Sequence, residues 1–188
     1  MAIDRARFYK RLRGSMFPNG LKQSQVEGIE RILDRWEYGY PAGDLRWLAY
    51  MLGTVLHETD RTMQPIEEYE HGGGRWYAQP DPQTGLRYYG RGLVQITHKS
   101  NYQKMGDRLG KDLVNHPELA LDPGISVEIL VVGMTEGRFT GVSLNNYFRE
   151  DHEDWIKARR IINGLDRAEL VAGYGKLFLG SLTLALVA

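Results

Sequence analysis

The sequence contains no cysteine, and its 24 basic side chains are matched by 24 acidic ones over 188 residues. Without cysteine, disulfides, thiolate metal sites and cysteine nucleophiles are excluded. A formal net charge of zero argues against a dedicated nucleic-acid-binding protein, because contacts with phosphates require a basic excess. The chemistry of this protein must therefore come from side chains other than thiols.

Long apolar runs are also missing. The longest, Leu182–Ala188, is far shorter than the about 20 residues of a membrane-spanning helix, so we predict a docked C-terminal helix and no stable membrane insertion. The basic segment Met1–Phe17 has no apolar stretch of signal-peptide length behind it. A hydrophobic content of 42% is typical of a globular protein, and we expect residues 1–188 to form one domain without a separate wall-binding domain.

Apolar residues recur at helical spacing over much of the chain. Ser24 and Glu27 form the pattern of a capping box, and Asp44 is a candidate cap for a second helix that ends at about Glu58 or Thr59. The sequence therefore predicts an α+β protein that is predominantly α-helical. Further helical patterns cover residues 101–109, 124–134, 152–162 and 167–186.

Residues 60–90 are interrupted by prolines and glycines, so we expect irregular structure there. Leu86–Tyr89 is a candidate short strand. From Val94 onward, apolar and polar residues alternate, which would place Gln95 and Thr97 on one face of another short strand. An irregular polar segment between helices is a place where a cleft can form.

The first candidate for catalysis is Glu58, at the end of the apolar helical pattern. The negative end of a helix dipole and apolar neighbours both favour a protonated carboxyl, the form that a general acid needs. Glu67 and Glu68 follow Pro65, and glycoside hydrolysis requires two such carboxyl groups. Because Pro65 ends any helix that continues from Thr59, helical phase does not decide which of the two faces Glu58. Taken alone, these acids are also compatible with an ordinary solvated loop.

Three histidines, His57, His71 and His98, are conceivable zinc ligands. However, His57 lacks a second histidine four residues later, so the metalloprotease helix motif is absent and we expect no metal and no cofactor.

The tryptophans and one arginine pair are interpreted by their surroundings. Trp76 lies beside a glycine-rich segment and is a candidate for stacking on a sugar. Arg159 and Arg160 are expected on a solvated helix face near acidic residues. The tryptophans that fall in helical patterns are expected in the core, and they are Trp36, Trp47 and Trp155.

These stretches together resemble the glycoside hydrolase family 19 lineage, the chitinase-like fold, in its phage and prophage endolysin branch. A His-Glu-Thr element with a downstream Tyr-Gly-Arg-Gly-x-x-Gln element is a specific pair, and the likeness runs from about Phe8 to Leu179. The resemblance implies a lysozyme-like fold with two lobes around a substrate cleft and a small irregular β segment. The matching segments are Ala49–Thr59, Met63–Tyr69, Tyr88–Thr97 with Asn101 and Tyr102, and Ala158–Gly164.

The resemblance also implies roles for individual residues. Glu58 corresponds to the general acid, and Glu68 to the base that activates a water for inverting attack. Glu67 is the alternative second acid, because a gap of one residue would exchange the two. Thr97 falls where the family has a Ser or Thr that holds the water. The expected substrate-binding residues are His57, Tyr89, Gln95, Asn101, Asn163 and Trp76.

The function implied is that of a bacteriophage endolysin, an antimicrobial muramidase that cuts the β-1,4 bond between N-acetylmuramic acid and N-acetylglucosamine in peptidoglycan. We expect a monomer that is made in the host cytoplasm and reaches the cell wall with holin-type help. Plant chitinases space their two acids further apart and use disulfides, so the resemblance is to a shortened form. The alternatives are a chitinase, a zinc-dependent amidase, and a non-catalytic virion or wall-binding protein.

Overall fold

The computed structural model describes residues 2–40 and 42–187. Within these residues the chain forms seven α-helices and three two-stranded antiparallel sheets of very short strands, so the predicted helix-rich α+β fold is confirmed. The helices are α1 (Arg5–Ser15), α2 (Gln23–Gly39), α3 (Leu45–Glu58), α4 (Lys99–Leu109), α5 (Pro123–Glu136), α6 (Leu144–Tyr147) and α7 (Ala168–Thr183). The strands pair as β1 (Ala2–Ile3) with β6 (Leu186–Val187), β2 (Ile66–Glu67) with β3 (Arg91–Gly92), and β4 (Phe148–Arg149) with β5 (His152–Glu153).

Helix α3 lies at the centre of the core. Every residue from Leu48 to Leu56 is buried, so the helix is covered on all sides instead of along one stripe. The side chain of Asp44 caps it by accepting a hydrogen bond from the backbone N–H of Arg46, as predicted. The helix ends at Glu58, also as predicted, and this places the candidate acid where the buried helix reaches the surface.

Helix α7 packs closely against α3. A Cβ atom on Gly53 would lie 2.7 Å from the backbone nitrogen of Gly175, so the two helices meet backbone to backbone at this glycine pair. No helix in the described ranges is long and apolar enough to cross a membrane.

The structure corrects the predicted start of α2. The N-cap is Lys22, two residues before Ser24, and its backbone N–H donates to the side chain of Gln25 at 2.8 Å. The capping box therefore uses Lys22 and Gln25, where the sequence pattern suggested Ser24 and Glu27. Helix α1 was not predicted, because its apolar positions are few among many basic residues.

Residues 152–162 do not form the predicted helix. They begin with β5, which pairs with β4 across a tight turn, and continue into a 3₁₀ helix over Lys157–Ile161. Side chains of α3 hold this hairpin: Arg46 donates to the carbonyls of Glu150 and His152, and the indole N–H of Trp47 donates to that of Phe148. These long-range bonds fix the β4–β5 hairpin against α3.

The predicted strand from Val94 onward is a tight turn. Arg91 and Ile96 exchange backbone hydrogen bonds of 3.3 and 2.9 Å, and Gln95 between them has a φ of +53°. The alternation of side chains expected of a strand therefore does not apply here. Leu86–Tyr89 is likewise irregular.

Candidate active site

The end of α3, the β2–β3 pair and the turn after β3 surround a cavity of about 600 Å³. The first acidic position and the later acidic pair both line it, although the sequence alone did not fix their relative orientation. The predicted site residues that line this cavity are His57, Glu58, Glu67, Glu68, Gln95, Thr97, Asn101 and Asn163.

The second acidic segment is fixed by backbone pairing with the Tyr-Gly-Arg-Gly element. Glu67 is the register partner of Arg91, and the backbone N–H of Glu68 donates to the carbonyl of Gly90 at 2.7 Å. Two separate sequence motifs therefore become adjacent strands.

Glu58 forms an ion pair with Arg159. A guanidinium nitrogen of Arg159 donates to Oε1 of Glu58 at 2.6 Å, and Arg159 is only 2% exposed. The Nε–H of Arg159 donates to the carbonyl oxygen of Asp166, which fixes the plane of the guanidinium. In the described ranges, Glu58 accepts a protein hydrogen bond through Oε1 alone, so Oε2 is the oxygen available to a ligand.

The prediction for Arg159 was therefore wrong, and the predicted apolar surroundings of Glu58 are incomplete. Arg159 does not lie on a solvated helix face, because the 3₁₀ helix that carries it packs its side chain beneath the cavity. A buried guanidinium stays charged and holds its partner carboxyl group through a charge-assisted hydrogen bond. Its neighbour Arg160 is exposed, as predicted.

His57 lies next to Glu58 on the cavity wall. Burial lowers the pKa of His57 below its ordinary value, while the charge of Glu58 acts in the opposite direction. The neutral imidazole is thus favoured at neutral pH, and His57 contributes hydrogen-bonding groups to the wall without a full positive charge.

Glu67 is held by an aromatic and basic group of side chains. The hydroxyl of Tyr89 donates to Oε1 at 2.7 Å, Nε2 of His71 lies 3.2 Å from Oε2, and Arg91 lies 3.6 Å from Oε1. The hydrogen bond from Tyr89 is the main cause of a pKa of Glu67 below the ordinary value, and the charge of Arg91 adds to it. Glu67 is therefore ionised at neutral pH, as a general base must be.

Glu68 is held by a different set of donors. The hydroxyl of Tyr77 donates to Oε1 at 2.6 Å, and the backbone N–H of Gly90 donates to Oε2 at 2.9 Å. Arg75 lies 3.7 Å from Oε1. Both members of the acidic pair are thus carboxylates that accept a tyrosine hydroxyl and lie near an arginine.

A short chain of hydrogen bonds orders the polar wall opposite α3. The amide N–H of Gln95 donates to the carbonyls of Ile66 and Gly92, and the hydroxyl of Thr97 donates to the carbonyl of Gln95. The side-chain amide of Asn101 donates to the carbonyl of Thr97 at 2.9 Å. These bonds use donor hydrogens, so the side-chain oxygens remain as acceptors for the hydroxyl and acetamido groups of a sugar.

Two predicted substrate-binding residues lie outside the lining of this cavity. Tyr89 is buried, and its hydroxyl is directed at Glu67, so it positions an acid. Trp76 is 78% exposed and lines an adjoining cavity of about 700 Å³. Tyr77 and His98 line both cavities, and the ring of Trp76 lies 5.1 Å from that of His98. Trp76 thus remains a candidate stacking residue beside the main cavity.

Sequence reasoning missed Arg159, Arg91 and Tyr77 as parts of the site. Arg91 belongs to the Tyr-Gly-Arg-Gly element, and Arg159 to the Ala158–Gly164 segment, so both motifs carried the signal. Tyr77 follows Trp76 in an irregular loop, where no spacing rule indicated its contact with Glu68. In the described ranges, no group of three or more histidine and acidic side chains is arranged to hold a metal ion.

Comparison with known proteins finds a family match over part of the chain. Residues 51–138 match the model of glycoside hydrolase family 19, chitinase class I. Acidic endochitinase Q of Nicotiana tabacum is 36% identical over 85 residues, which is 45% of this chain and 32% of that protein. The acidic 26 kDa endochitinase of Solanum lycopersicum is 50% identical over 87 residues, with the same coverage of 45% and 32%. The chain spans about a third of the length of these curated relatives.

Solved structures show the same fold over nearly the whole chain. Chitinase C from Streptomyces griseus superposes with a TM-score of 0.66 at 22% identity, covering 96% of this chain and 76% of the chitinase. The class IV chitinase from Zea mays superposes with a TM-score of 0.60 at 18% identity, covering 94% and 90%. The chain therefore shares the fold of these two chitinases. Specifically, the segment 51–138 carries the family 19, chitinase class I pattern.

Proposed function

We propose that this protein hydrolyses the β-1,4 bond between N-acetylmuramic acid and N-acetylglucosamine in peptidoglycan, as an endolysin-type muramidase. The observation that carries the proposal is the presence of Glu58 and the Glu67–Glu68 pair on the wall of one cavity that also has ordered polar acceptors. Two carboxyl groups across a sugar-binding cavity are the requirement of glycoside hydrolysis.

In the proposed reaction, Glu58 protonates the glycosidic oxygen through Oε2 as the bond from that oxygen to the anomeric carbon breaks. Arg159 holds Oε1 and thereby orients the carboxyl group. A carboxylate of the acidic pair removes a proton from a water, whose oxygen forms the new bond on the opposite face of the sugar. The configuration is inverted, and inverting enzymes separate their carboxyls by about 6.5–9.5 Å to make room for this water.

Glu68 is the proposed base, with Thr97 as a contact for the water and Glu67 as the alternative base. Thr97 and both acids line the same cavity. The fixed hydrogen bonds of Glu68 to Tyr77 and Gly90 would hold its carboxylate in one orientation while the water is activated.

A peptidoglycan substrate is supported by one cation at the cavity. Arg75 lines the cavity wall and its side chain is 67% exposed, so it is accessible to an anionic group. Peptidoglycan carries carboxylates on its lactyl and peptide substituents, whereas chitin is uncharged. The second candidate is hydrolysis of chitin, because the similar proteins are named chitinases.

The proposed substrate is tested by mass spectrometry of purified peptidoglycan after digestion, with chitin oligomers in parallel. We expect muropeptides with a new N-acetylmuramic acid reducing end, and little cleavage of chitin. Cleavage of chitin oligomers without cleavage of peptidoglycan would support the chitinase alternative. Cleavage of the peptide stem that stops in chelator and recovers with zinc would support an amidase.

The proposed acid is tested with Glu58→Gln. Glutamine keeps the side-chain oxygen that accepts from Arg159, so the fold should be preserved while the transferable proton is lost. We expect almost complete loss of reducing-end release in a protein that still folds, although loss of the charge partner of buried Arg159 should lower its melting temperature. Wild-type activity in a folded E58Q protein would remove Glu58 from the mechanism.

We also propose that the enzyme acts as a monomer. It would be made inside the host bacterium during phage lysis and would then act on the wall of that same cell. Lysis of the producing cells only when a membrane pore is co-expressed would support this setting. Lysis without such a pore would contradict it.

A further inference from the structure

Helices α1 and α7 form a groove of about 890 Å³ that shares no lining residue with the candidate active site. One wall comes from the basic N-terminal helix and the other from the C-terminal half of α7. The residues that line it are Arg7, Lys10, Arg11, Gly14, Ser15, Lys176, Leu177, Gly180, Ser181 and Leu184.

The charge of this groove differs from that of the chain as a whole. Its lining contains four cations and no acid, whereas the sequence has a formal net charge of zero. Arg7 forms an ion pair with Asp4 at 3.2 Å. The other three cations, Lys10, Arg11 and Lys176, form no ion pair within the described part of the chain. The groove is therefore a local surplus of positive charge that an anionic partner would complement.

Exposed leucines run along α7 beside these cations. Leu170, Leu177 and Leu184 are 41%, 44% and 55% exposed and occur every seven residues, which places them along one face of the helix. Leu177 and Leu184 line the groove itself. A row of half-exposed leucines beside cations combines an apolar strip with a basic one on the same surface.

We propose that the groove between α1 and α7 binds the surface of an anionic lipid membrane. Lys10, Arg11 and Lys176 would contact lipid phosphates, and Leu177 and Leu184 would enter the apolar layer below the headgroups. A soluble polyanion would use the cations alone, whereas a membrane surface uses both the cations and the adjacent leucines. This proposal is independent of the reaction proposed for the cavity.

The experiment is sedimentation of the full chain with lipid vesicles. One set contains equal parts of phosphatidylglycerol and phosphatidylcholine, and the other contains phosphatidylcholine alone. We expect binding to the anionic vesicles, weak binding to the neutral ones, and weakening by salt. Equal binding to both sets, or binding to neither, would overturn the proposal.

Three double variants separate the contributions. Lys10→Glu with Arg11→Glu should reduce partitioning onto anionic vesicles by about tenfold or more, since each cation near such a surface adds several-fold to binding. Leu177→Ser with Leu184→Ser should reduce partitioning while leaving the salt dependence unchanged. The matched control is Lys104→Glu with Lys111→Glu, which reverses two exposed charges on and after α4.

The control variant should bind the anionic vesicles much more strongly than the K10E/R11E variant. An equal loss in both variants would show general charge attraction and overturn the groove as the site. Binding of polyphosphate without binding of vesicles would also overturn it. The far-UV circular dichroism spectrum of all three variants is expected to match that of the wild type, and it serves as the check that each has folded.

Discussion

The guanidinium of Arg159 and the carboxylate of Glu58 meet at 2.6 Å although they are 101 residues apart in the chain. Arg159 comes from a short 3₁₀ helix below the cavity, and Glu58 comes from the last turn of the central helix. The pair thereby links the two parts of the chain that enclose the candidate acid. It leaves the other carboxyl oxygen for a ligand.

Replacement of this arginine should affect both stability and catalysis. Arg159→Ala is expected to lower the free energy of unfolding by about 3 kcal/mol. This value is the low end of the range for a broken buried ion pair, because the carboxylate of Glu58 still reaches the cavity. The carboxyl group would also lose its fixed orientation, so kcat should fall with little change in KM. Thermal denaturation and steady-state kinetics measure the two effects.

Arg160→Ala is the matched control, because Arg160 is the next residue and its side chain is exposed. Its effect on stability should stay within about 0.5 kcal/mol. Equal stability of the R159A and R160A proteins would contradict the role given to the buried pair.

The second acid is identified by comparing Glu68→Gln with Glu67→Gln. The variant that lacks the general base should lose about 10²–10⁴-fold in kcat, because water then attacks without proton removal. We expect the larger loss in E68Q, and added azide, a nucleophile that needs no deprotonation, should restore its turnover. A larger loss in E67Q with rescue by azide would transfer the role to Glu67, and full activity in both would contradict the two-acid mechanism.

Tyr89→Phe should raise the pKa of Glu67. The hydroxyl of Tyr89 is the main cause of the lowered pKa of this carboxyl, so its removal brings the pKa back toward the ordinary value of a glutamate. A lowered pKa in the folded state contributes stability above the unfolded pKa, and this contribution is lost as the pH falls through the folded pKa. The free energy of unfolding of the wild type should therefore exceed that of Y89F at neutral pH by the contribution of Glu67. This difference should shrink as the pH falls through the pKa of Glu67 in the folded protein.

Carboxyl titration by NMR checks that shift directly. The acid limb of the activity profile provides a second measurement, since it moves to higher pH in Y89F when Glu67 is the base and stays in place when Glu68 is. An unchanged pKa of Glu67 in the variant would show that its hydrogen bond with Tyr89 is unimportant.

The contact between α3 and α7 predicts opposite effects for two glycines. Gly53→Ala places a Cβ 2.7 Å from the backbone of Gly175, so the helices must separate, at a cost of roughly 2–3 kcal/mol. Gly173→Ala meets nothing within 4 Å and should stabilise the protein by about 0.5–1 kcal/mol through better helix propensity. Urea denaturation of both variants tests this, and equal effects would contradict the close packing of the two helices.

Most of the helices and the position of the first acid could be predicted from local sequence patterns. Asp44 caps α3 through a bond to a residue only two positions away, and the apolar run from Leu48 to Leu56 is a local pattern that ends at Glu58. The irregular segment that carries Glu67 and Glu68 was also evident, because proline and glycine limit the backbone locally. Such features depend on neighbours within a few residues, so a linear reading finds them.

The groups that surround each acid depend on long-range contacts of the folded chain. The β2–β3 pairing places Glu67 and Glu68 beside the Tyr-Gly-Arg-Gly element, and residues 148–153 form a hairpin because side chains of α3 bind its carbonyls. The burial of Arg159 against Glu58 likewise depends on a contact across 101 residues. These outcomes depend on which distant partners bind the same polar groups. The periodicity of the local sequence gives no information about those distant partners.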